Sequence, residues 1–377
     1  MGAPVAGRPI PVNEPLLDEA AKRNVLRCLE DGWISSEGPF VAEFERSWAG
    51  YCRMPHGIAV CNGTIALELA MAAAGLDPGD EVILPSFTII SCALAVLEAG
   101  ATPVLVDCDP ETWCMDVNQV AAKITHRTKA IMPVHIYGHP VDMDPVMELA
   151  RRHGLLVIED AAEAHGAEYR GRPVGGFGDM SCFSFYANKI ITTGEGGMVL
   201  ARSAAHADWA RSGRNLFFRS DRRFYHTELG HNYRLTNLQA AIGVAQVEAI
   251  AEHIRLKRAM AAYYNERLAR FPVLQLPAER PWAKNVYWMY GVVLSDDLDM
   301  DAKAFGERLR DRGVETRPFF LGLHEQPALR KRGLFADEAY PVTERIARRG
   351  LYLPSGLALT REQQVRVCDA IEDALRV

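Results

Sequence analysis

The stretch LLVIEDAAEAHG (155–166) joins a short apolar run to a polar turn. The run ends in two acidic side chains, Glu159 and Asp160. An apolar run of this length, bounded by small and polar residues, is typical of a strand buried on both faces of a mostly parallel sheet. Ligands of α/β sheets bind at the carboxyl ends of such strands. The stretch therefore predicts an α/β fold with a site beside Asp160.

Similar apolar runs recur along the chain, and helix-forming segments separate them. The helical segments, such as 64–75 and 141–153, are long enough for right-handed crossovers between parallel strands. The alternation predicts the layered α/β class, with a mostly parallel sheet. The further strand-like runs are GIAV (57–60), EVILPS (81–86), TPVLVD (102–107), AIMPVHI (130–136), SCFSFY (181–186) and GMVLA (197–201).

The pattern changes after about residue 240, which predicts a second domain. Residues 239–271 have the composition of one long helix or two helices in series. We predict a large domain over 1–250, with an N-terminal arm, and a smaller α+β domain over 251–377. The helix at 14–31 could pack on either. The predicted elements of the smaller domain are a strand at 287–294, a helix at 301–312, a short strand at 314–320 and a helix from 361.

The composition excludes several classes of protein. The 377 residues are 49% hydrophobic and carry a net charge of -6, which argues against a disordered chain and against nucleic acid as a partner. The eight Cys include no C-x-x-C pair, so we expect reduced thiols and no metal site. The N-terminus lacks the apolar core of a signal peptide, and no apolar stretch is long enough to span a membrane. We expect a cytoplasmic protein without membrane contact.

Residues 61–64, Cys-Asn-Gly-Thr, join the strand at 57–60 to a helix. Asn62 can cap that helix, Gly63 permits close backbone approach, and free N–H groups at a helix N-terminus bind phosphate. A helix capped by Asn, without any ligand, explains the same residues equally well.

Asp160 and Lys189 are the two charged residues that stand out beside these strands. A carboxylate at the end of a buried strand is costly unless a cation meets it, although Asp160 could instead cap a following helix. Lys189 lies in FSFYANKIITTGEGG (183–197), whose glycines permit tight turns. A lone Lys in such a loop is usually a solvated surface charge.

Together these clusters meet the requirements of pyridoxal 5′-phosphate. The helix N-terminus suits a phosphate, Asp160 suits a pyridine nitrogen, and Lys189 suits an aldehyde, with which it would form a Schiff base. Their order and spacing are compatible with this cofactor without proving it.

The motifs make the chain recognisable over nearly its whole length. It resembles the DegT/DnrJ/StrS family of pyridoxal-phosphate-dependent sugar aminotransferases, which implies fold type I, as in aspartate aminotransferase. The residues that carry the resemblance are GWISSEGPFVAEFE (32–45), NGTIALELA (62–70), PGDEVILPSFT (78–88), KAIMPVHIYGHPVDMD (129–144), VIEDAAEAHGAEYRG (157–171), FSFYANKIITTGEGGMV (183–199), GHNYRLTNLQAAIG (230–243) and VETRPFF (314–320).

The resemblance implies a role for each matching residue. Lys189 would bind the cofactor and move the proton, and Asp160 would face the pyridine nitrogen. Asn232 would reach the cofactor of a neighbouring subunit, which implies a homodimer with active sites at the interface; a turn before a helix is the other explanation of 230–238. The remaining cofactor contacts implied are Gly63, Thr64 and Ser184 on the phosphate, Glu163 near the phenolic oxygen and Ile89 on the ring face.

Ile89 departs from the pattern of the family, in which many members place an aromatic residue that stacks on the pyridine ring. An aliphatic side chain covers the ring by dispersion contact but lacks the stacking contribution of about 0.5–1.5 kcal/mol. Either cofactor retention is weaker, or Phe87 contributes differently.

Sugar recognition is less constrained by the motifs. The candidates are Trp33, Ser35, Ser36, Tyr186, Asn188, Arg317 and His324, and Arg214, Arg219, Arg222 and Arg223 could bind a diphosphate. Each has an ordinary alternative: Trp33 packs, Ser35 caps a turn, Arg317 and the basic loop are solvated, and His324 is a satisfied loop histidine.

The resemblance is strongest to members that aminate C4 of a GDP-linked 4-keto-6-deoxymannose. L-Glutamate would be the donor, and pyridoxamine 5′-phosphate the aminated form of the cofactor. The alternatives are amination at C3 of a nucleotide-linked 3-keto sugar, a sugar dehydratase, which the presence of Lys189 disfavours, and a pyridoxal-phosphate-binding regulator without turnover. A nicotinamide-dependent oxidoreductase is disfavoured because no G-x-G-x-x-G follows an early strand.

Overall fold

The computed structural model describes residues 8–218 and 221–376. Its α-helices are α1 (Glu19–Glu30), α2 (Pro39–Tyr51), α3 (Gly63–Ala73), α4 (Ser91–Glu98), α5 (Val117–Lys123), α6 (Met143–His153), α7 (Ala204–Gly213), α8 (Asn237–Glu248), α9 (Ile250–Leu268), α10 (Ala302–Arg310), α11 (Pro327–Arg330), α12 (Pro341–Arg349) and α13 (Arg361–Leu375). Its strands are β1 (His56–Val60), β2 (Glu81–Pro85), β3 (Thr102–Val106), β4 (Thr128–Ile131), β5 (Leu156–Asp160), β6 (Glu168–Tyr169), β7 (Arg172–Pro173), β8 (Met180–Ser184), β9 (Gly197–Ala201), β10 (Leu274–Gln275), β11 (Ala283–Lys284), β12 (Tyr290–Leu294), β13 (Arg317–Pro318) and β14 (Gly350–Leu353).

The apolar runs of the sequence form one central sheet. Within the described residues it has seven strands in the order β1-β9-β8-β5-β4-β2-β3. Only β9 runs antiparallel to its neighbours, β1 and β8, and the remaining pairs are parallel. The strands are almost wholly buried, as their uninterrupted apolar runs predict. The α/β class with a mostly parallel sheet is confirmed.

The strand predicted at 130–136 is shorter than its apolar run. β4 ends at Ile131 because Pro133 has no N–H to donate to a neighbouring strand. The chain beyond it makes only an isolated bridge between Val134 and Asp160 and then turns at Tyr137, whose φ is 51°. This turn brings residues 134–137 to the end of β5.

A second sheet lies in the C-terminal third, with the antiparallel order β10-β12-β14-β13. It shares a core with α9, α10 and α13, in which Tyr264, Phe305 and Ile371 are fully buried. Two expectations are corrected. β12 begins at Tyr290 rather than 287, since Tyr287 has a left-handed backbone with a φ of 50°. β13 is reduced from the predicted 314–320 to Arg317–Pro318, since a proline limits strand pairing.

The segment 239–271 forms two helices in series, α8 and α9, which meet at Ala249. The N-terminal helix α1 packs on α8, where Asn24 Nδ2 donates to the carbonyl of Ala241 (3.2 Å). The division into domains at residue 250 stays a prediction. Across residues 8–218 and 221–376, no helix combines the length and apolar character needed to cross a bilayer.

Candidate active site

A cavity of about 630 Å³ opens at the carboxyl ends of the parallel strands. Strand β5 supplies Asp160 to it, the loop between β8 and β9 supplies Lys189, and α3 directs its N-terminus towards it. The cavity thus lies where the sequence predicts a site. The predicted site residues that line it are Gly63, Thr64, Ile89, Asp160, Glu163, Ser184, Tyr186, Asn188 and Lys189.

The N-terminus of α3 forms one end of the cavity. Asn62 does cap this helix, because its Oδ1 accepts the N–H of Ile65 (2.9 Å), and the first turn leaves further N–H groups without an intrahelical acceptor. A Cβ at Gly63 would lie 2.6 Å from Cβ of Ser184, so a side chain there would close the gap. Thr64 Oγ1 and Ser91 Oγ, 2.9 Å apart, add hydroxyls. The backbone amides and hydroxyls make an anion site.

Asp160 is buried and has no helix to cap, because turns follow β5. Its Oδ1 accepts the N–H of Ala162 (3.0 Å), and its Oδ2 accepts the thiol of Cys92 (3.0 Å). Burial raises the pKa of Cys92 well above its usual value, which keeps the thiol protonated as a donor. No cation pairs with Asp160 among the described residues. The carboxylate is therefore oriented by Cys92 and Ala162, and its charge acts on Lys189 without an ion pair at contact distance.

Glu163 lies in the turn after β5 and is also buried. Its Oε2 accepts the N–H of Tyr137 (2.8 Å), the residue whose left-handed backbone turns the chain towards β5. Burial raises the pKa of Glu163 above its usual range, while the charge of Lys189 lowers it in part. A buried carboxyl with a raised pKa can share a proton with a neighbouring group.

Lys189 approaches these carboxylates from the loop between β8 and β9. Burial lowers its pKa, and the charges of Glu163 and Asp160 oppose that shift. Within the described part of the chain its amine donates no hydrogen bond and lies over the ring of Trp288, 3.8 Å from the ring centroid. A half-buried lysine whose amine faces a cavity and donates no hydrogen bond is available as a base or nucleophile.

The aromatic residues at the cavity differ from those expected. Ile89 lines it and is 44% exposed, but Phe87 is fully buried against Tyr137 and Phe319 and does not reach it. The idea that Phe87 contributes in place of Ile89 is therefore corrected. Aromatic side chains reach the cavity from elsewhere, at Tyr186, Trp288, Phe320 and Tyr352.

Trp288, Phe320 and Tyr352 were missed by the sequence reasoning. They lie more than ninety residues beyond Lys189 in the chain, next to the short strands β12, β13 and β14. No spacing rule links such positions to a strand end, and only the motif VETRPFF (314–320) pointed to one of them.

The other predicted residues that the structure describes do not line the cavity. Asn232, Trp33 and Ser35 are exposed outside the lining, although the neighbouring Tyr233 carbonyl accepts from the N–H of Cys61, which lines the cavity (2.9 Å). Arg317 is exposed beside Tyr352, its partner in the β13–β14 register. His324 is buried, and its Nε2 lies 3.2 Å from Glu344 Oε1, while its Nδ1 has no hydrogen-bond partner among the described residues.

Ser35 and Ser36 instead line a second cavity, of about 400 Å³, with Arg211, Arg214, Arg223 and Arg234. Arg214 is engaged there by an ion pair with Glu45 and by the carbonyl of Ala59 (2.6 Å). Arg222 stacks over the ring of Tyr225. Arg219 lies outside the described residues. Of the basic loop, Arg214 is thus a structural residue rather than a free anion ligand.

The first cavity fits pyridoxal phosphate. The α3 N-terminus and the hydroxyls of Thr64 and Ser184 can hold the phosphate, and Asp160 can meet the ring nitrogen. Lys189 is the amine within reach, and Ile89 and Ala162 are among the aliphatic residues of the lining. Fold and cavity together define a pyridoxal-phosphate-dependent enzyme.

Comparison with known proteins agrees with this class. The DegT/DnrJ/EryC1/StrS aminotransferase family model matches residues 15–372, and the chain belongs to this family. It is 45% identical over 367 residues to a GDP-perosamine synthase of Caulobacter vibrioides, covering 97% of this chain and 98% of the relative. It is 37% identical to a dTDP-3-amino-3,4,6-trideoxy-alpha-D-glucose transaminase of Streptomyces venezuelae, covering 95% of each.

Among solved structures, S. venezuelae DesV superposes with a TM-score of 0.90 at 36% identity, covering 98% of this chain and 100% of that one. The protein is a pyridoxal-phosphate-dependent sugar aminotransferase with the fold that the resemblance implies.

Proposed function

We propose that this aminotransferase moves the amino group of L-glutamate to C4 of a GDP-linked 4-keto-6-deoxymannose. The observation that supports a transaminase most is the placement of the Lys189 amine beside Glu163 and Asp160 in one cavity. The likeness to a GDP-perosamine synthase supports the sugar and the carbon. C3 amination of a related nucleotide-linked 3-keto sugar is the second candidate, because the S. venezuelae relative is named for a product with its amino group on C3.

Each residue has a distinct task in this proposal. Pyridoxal phosphate, when bound, supplies a carbonyl for the amino group and a ring that withdraws electrons. Lys189 then acts as the base that carries a proton at its Nζ, since burial lowers its pKa. Asp160, held by Cys92 and Ala162, would keep the ring nitrogen protonated, and Glu163 would meet the phenolic oxygen.

The sugar is proposed to bind at the aromatic side of the cavity. Tyr186, Phe320 and Tyr352 offer ring faces and two hydroxyls, and the side chain of Asn188 lies among them. Arg317 stands at the margin of this wall, paired in register with Tyr352, where it can meet an anionic group. These contacts would exclude water from the reacting carbon.

A homodimer completes the site in this proposal. Lys189 is the one cation among the described residues that line the cavity, although the cofactor and the nucleotide are both anions. Asn232 is exposed outside the cavity lining of its own subunit, in a segment whose Phe224 and Leu229 are 81% and 95% exposed. Exposed apolar side chains at this density mark an interaction surface. A second copy would cover them and bring Asn232 to the other subunit's phosphate.

Mixing two defective variants tests the shared site. Lys189→Ala and Asn232→Ala would each be inactive or weak alone. After unfolding and refolding together in equal amounts, a shared dimer has one intact site in each mixed pair, so about a quarter of wild-type activity returns. Activity no higher than the sum of the two separate variants would contradict the shared site. As a control for losses on refolding, the Trp209→Phe variant, which is altered at a partly exposed residue of α7, replaces Asn232→Ala in the same mixing procedure.

A half-reaction screen tests the substrate. The protein is loaded with pyridoxamine phosphate and mixed with GDP-4-keto-6-deoxymannose, dTDP-4-keto-6-deoxyglucose or a 3-keto sugar nucleotide. We expect the GDP sugar to restore the pyridoxal spectrum fastest, and NMR of the product to place nitrogen on C4. Preference for a 3-keto sugar would favour the second candidate, and loss of a hydroxyl without gain of nitrogen would identify a dehydratase. Conversion of bound pyridoxal phosphate to pyridoxamine phosphate by glutamate alone would identify an enzyme, whereas a regulator without turnover would leave the cofactor unchanged.

The cytoplasmic location stays a prediction from sequence.

A further inference from the structure

Trp288 makes two contacts with the segment that carries Lys189. Its ring lies under the amine, with the lysine Nζ 3.8 Å from the ring centroid. Its indole N–H donates to the carbonyl of Asn188 (2.8 Å), the residue directly before Lys189. The same carbonyl accepts from Asn13 Nδ2 (3.1 Å). One side chain from the C-terminal third of the protein thus fixes both the backbone and the amine of the reactive lysine.

Trp288 is itself held rigidly. It is 4% exposed, and its carbonyl accepts from the amine of Lys257 (2.7 Å), which is buried below it. The preceding residue, Tyr287, has a left-handed backbone, and its N–H donates to Asn285 Oδ1 (2.8 Å). A Cβ at Gly138 would lie 2.8 Å from the nitrogen of Trp288, so the chain packs closely on that side as well.

The negative face of an indole ring attracts a cation, most strongly where water is excluded. The acidic groups that face Lys189 are Asp160 and Glu163, from β5 and the turn after it, and Glu195 also lines the cavity. Tyr186 and Tyr352 are the tyrosines of the lining, and His165 is close enough for the charge of Lys189 to lower its pKa. The Trp288 ring is in direct contact with the amine, with Nζ 3.8 Å from the ring centroid, whereas the carboxylates act on it through their charge.

We propose that Trp288 is a positioning residue for Lys189, whose ring holds the lysine ammonium over the cavity and whose N–H fixes the loop at Asn188. The proposal rests on the proposed function, in which Lys189 is the reacting amine. In it, the ring favours the charged form of the free amine and sets the direction from which the amine approaches the cofactor. Trp288 acts through Lys189 and needs no contact with the sugar.

Reductive methylation of the cofactor-free, full-length protein tests this directly, because only a neutral amine reacts. The wild type, Trp288→Leu and Trp288→Phe are methylated over a range of pH, and the Lys189 and Lys257 peptides are quantified by mass spectrometry. Losing the ring should move the midpoint for Lys189 to lower pH by about one unit in Trp288→Leu. Trp288→Phe keeps a ring and should move it much less. Lys257 bonds the backbone carbonyl, which both variants keep, so its midpoint should stay unchanged.

An unchanged Lys189 midpoint in Trp288→Leu would overturn the proposal, and so would equal shifts at Lys189 and Lys257, which indicate a general structural role. Should Trp288→Leu fail to fold, fluorinated tryptophan replaces the variant, since fluorination weakens the ring's attraction for cations at nearly constant size. The shift expected on fluorination should vanish in Trp288→Phe, and its persistence there would also overturn the proposal. Failure of the proposed function gives a different result: Lys189→Ala would then keep the visible absorbance of the bound cofactor.

Discussion

Two lysines contact Trp288, the buried Lys257 at its carbonyl and the half-buried Lys189 at its ring, and they differ in what surrounds their amines. Lys257 donates to the carbonyls of Trp288 (2.7 Å) and Ser355 and has no acidic partner among the described residues. Lys189 donates no hydrogen bond within the same part of the chain, but it faces an aromatic ring, two carboxylates and a cavity. Burial lowers the pKa of both, to about 7 for Lys257.

The contrast shows that a lowered pKa does not identify a reactive lysine. A neutral amine at Lys257 still has its carbonyl acceptors, so it serves the packing of α9 against the loop before β12. The Lys189 amine has no hydrogen-bond acceptor among the described residues and instead faces the cavity of about 630 Å³. Reactivity follows from the missing partners and the adjacent cavity, together with the pKa.

The largest expected difference between the two sites is in activity. Lys189→Met should lower turnover by about 10⁴-fold or more, because it removes both the covalent attachment and the base. It should also abolish the visible absorbance of bound cofactor while the melting temperature is kept. Lys257→Met, the matched control, should retain both absorbance and measurable turnover. Comparable loss of turnover in both variants would contradict the distinction.

The next largest difference is in how stability depends on pH. Lys257 has a folded-state pKa of about 7, below that of the unfolded chain, so the unfolded state binds more protons between the two values. Wild-type stability should therefore rise relative to Lys257→Met as pH increases, by about 2 kcal/mol from about pH 7 to about pH 9. Thermal unfolding of both proteins at each pH measures this, and parallel curves would show that Lys257 does not titrate in this range.

The carboxylate beside Lys189 has no counterpart at Lys257, and Glu163→Gln removes it. Because Glu163 raises the pKa of Lys189, the methylation midpoint of Lys189 should fall by about one pH unit in the variant. Lys257 should be unaffected. Glu148→Gln, which alters an exposed carboxylate paired with Arg151 on α6 and outside the cavity lining, is the control. A midpoint that stays in place would show that Glu163 does not interact with the lysine.

The smallest effect concerns the thiol that orients Asp160. Cys92→Ala leaves Asp160 Oδ2 without its donor at 3.0 Å, which should weaken cofactor binding about fivefold, as expected of one modest hydrogen bond. Cys92→Ser keeps a donor and should bind the cofactor nearly as the wild type does. Fluorescence titration of the cofactor-free proteins gives the Kd. Equal Kd values for Cys92→Ala and Cys92→Ser would show that the hydrogen bond from residue 92 to Asp160 does not contribute to cofactor binding.

The parts of the site that lie on the sheet could be predicted from sequence. Asn62, Asp160 and Lys189 follow buried strands, and the carboxyl ends of neighbouring parallel strands meet at one edge, so their convergence follows from the pattern. Trp288 and Tyr352 could not be predicted, because they come from short elements without a clear periodicity and reach the cavity only through tertiary packing. The same holds for Cys92, whose partner Asp160 is 68 residues away.

Chemical trapping of the bound cofactor tests the central claim most directly. The protein is loaded with pyridoxal phosphate, reduced with borohydride, digested and mapped by mass spectrometry. A pyridoxyl group found on the Lys189 peptide, with the Lys257 peptide unmodified, is the result that this account predicts. A pyridoxyl group on Lys257, or an unmodified Lys189 in protein that has retained the cofactor, would contradict it.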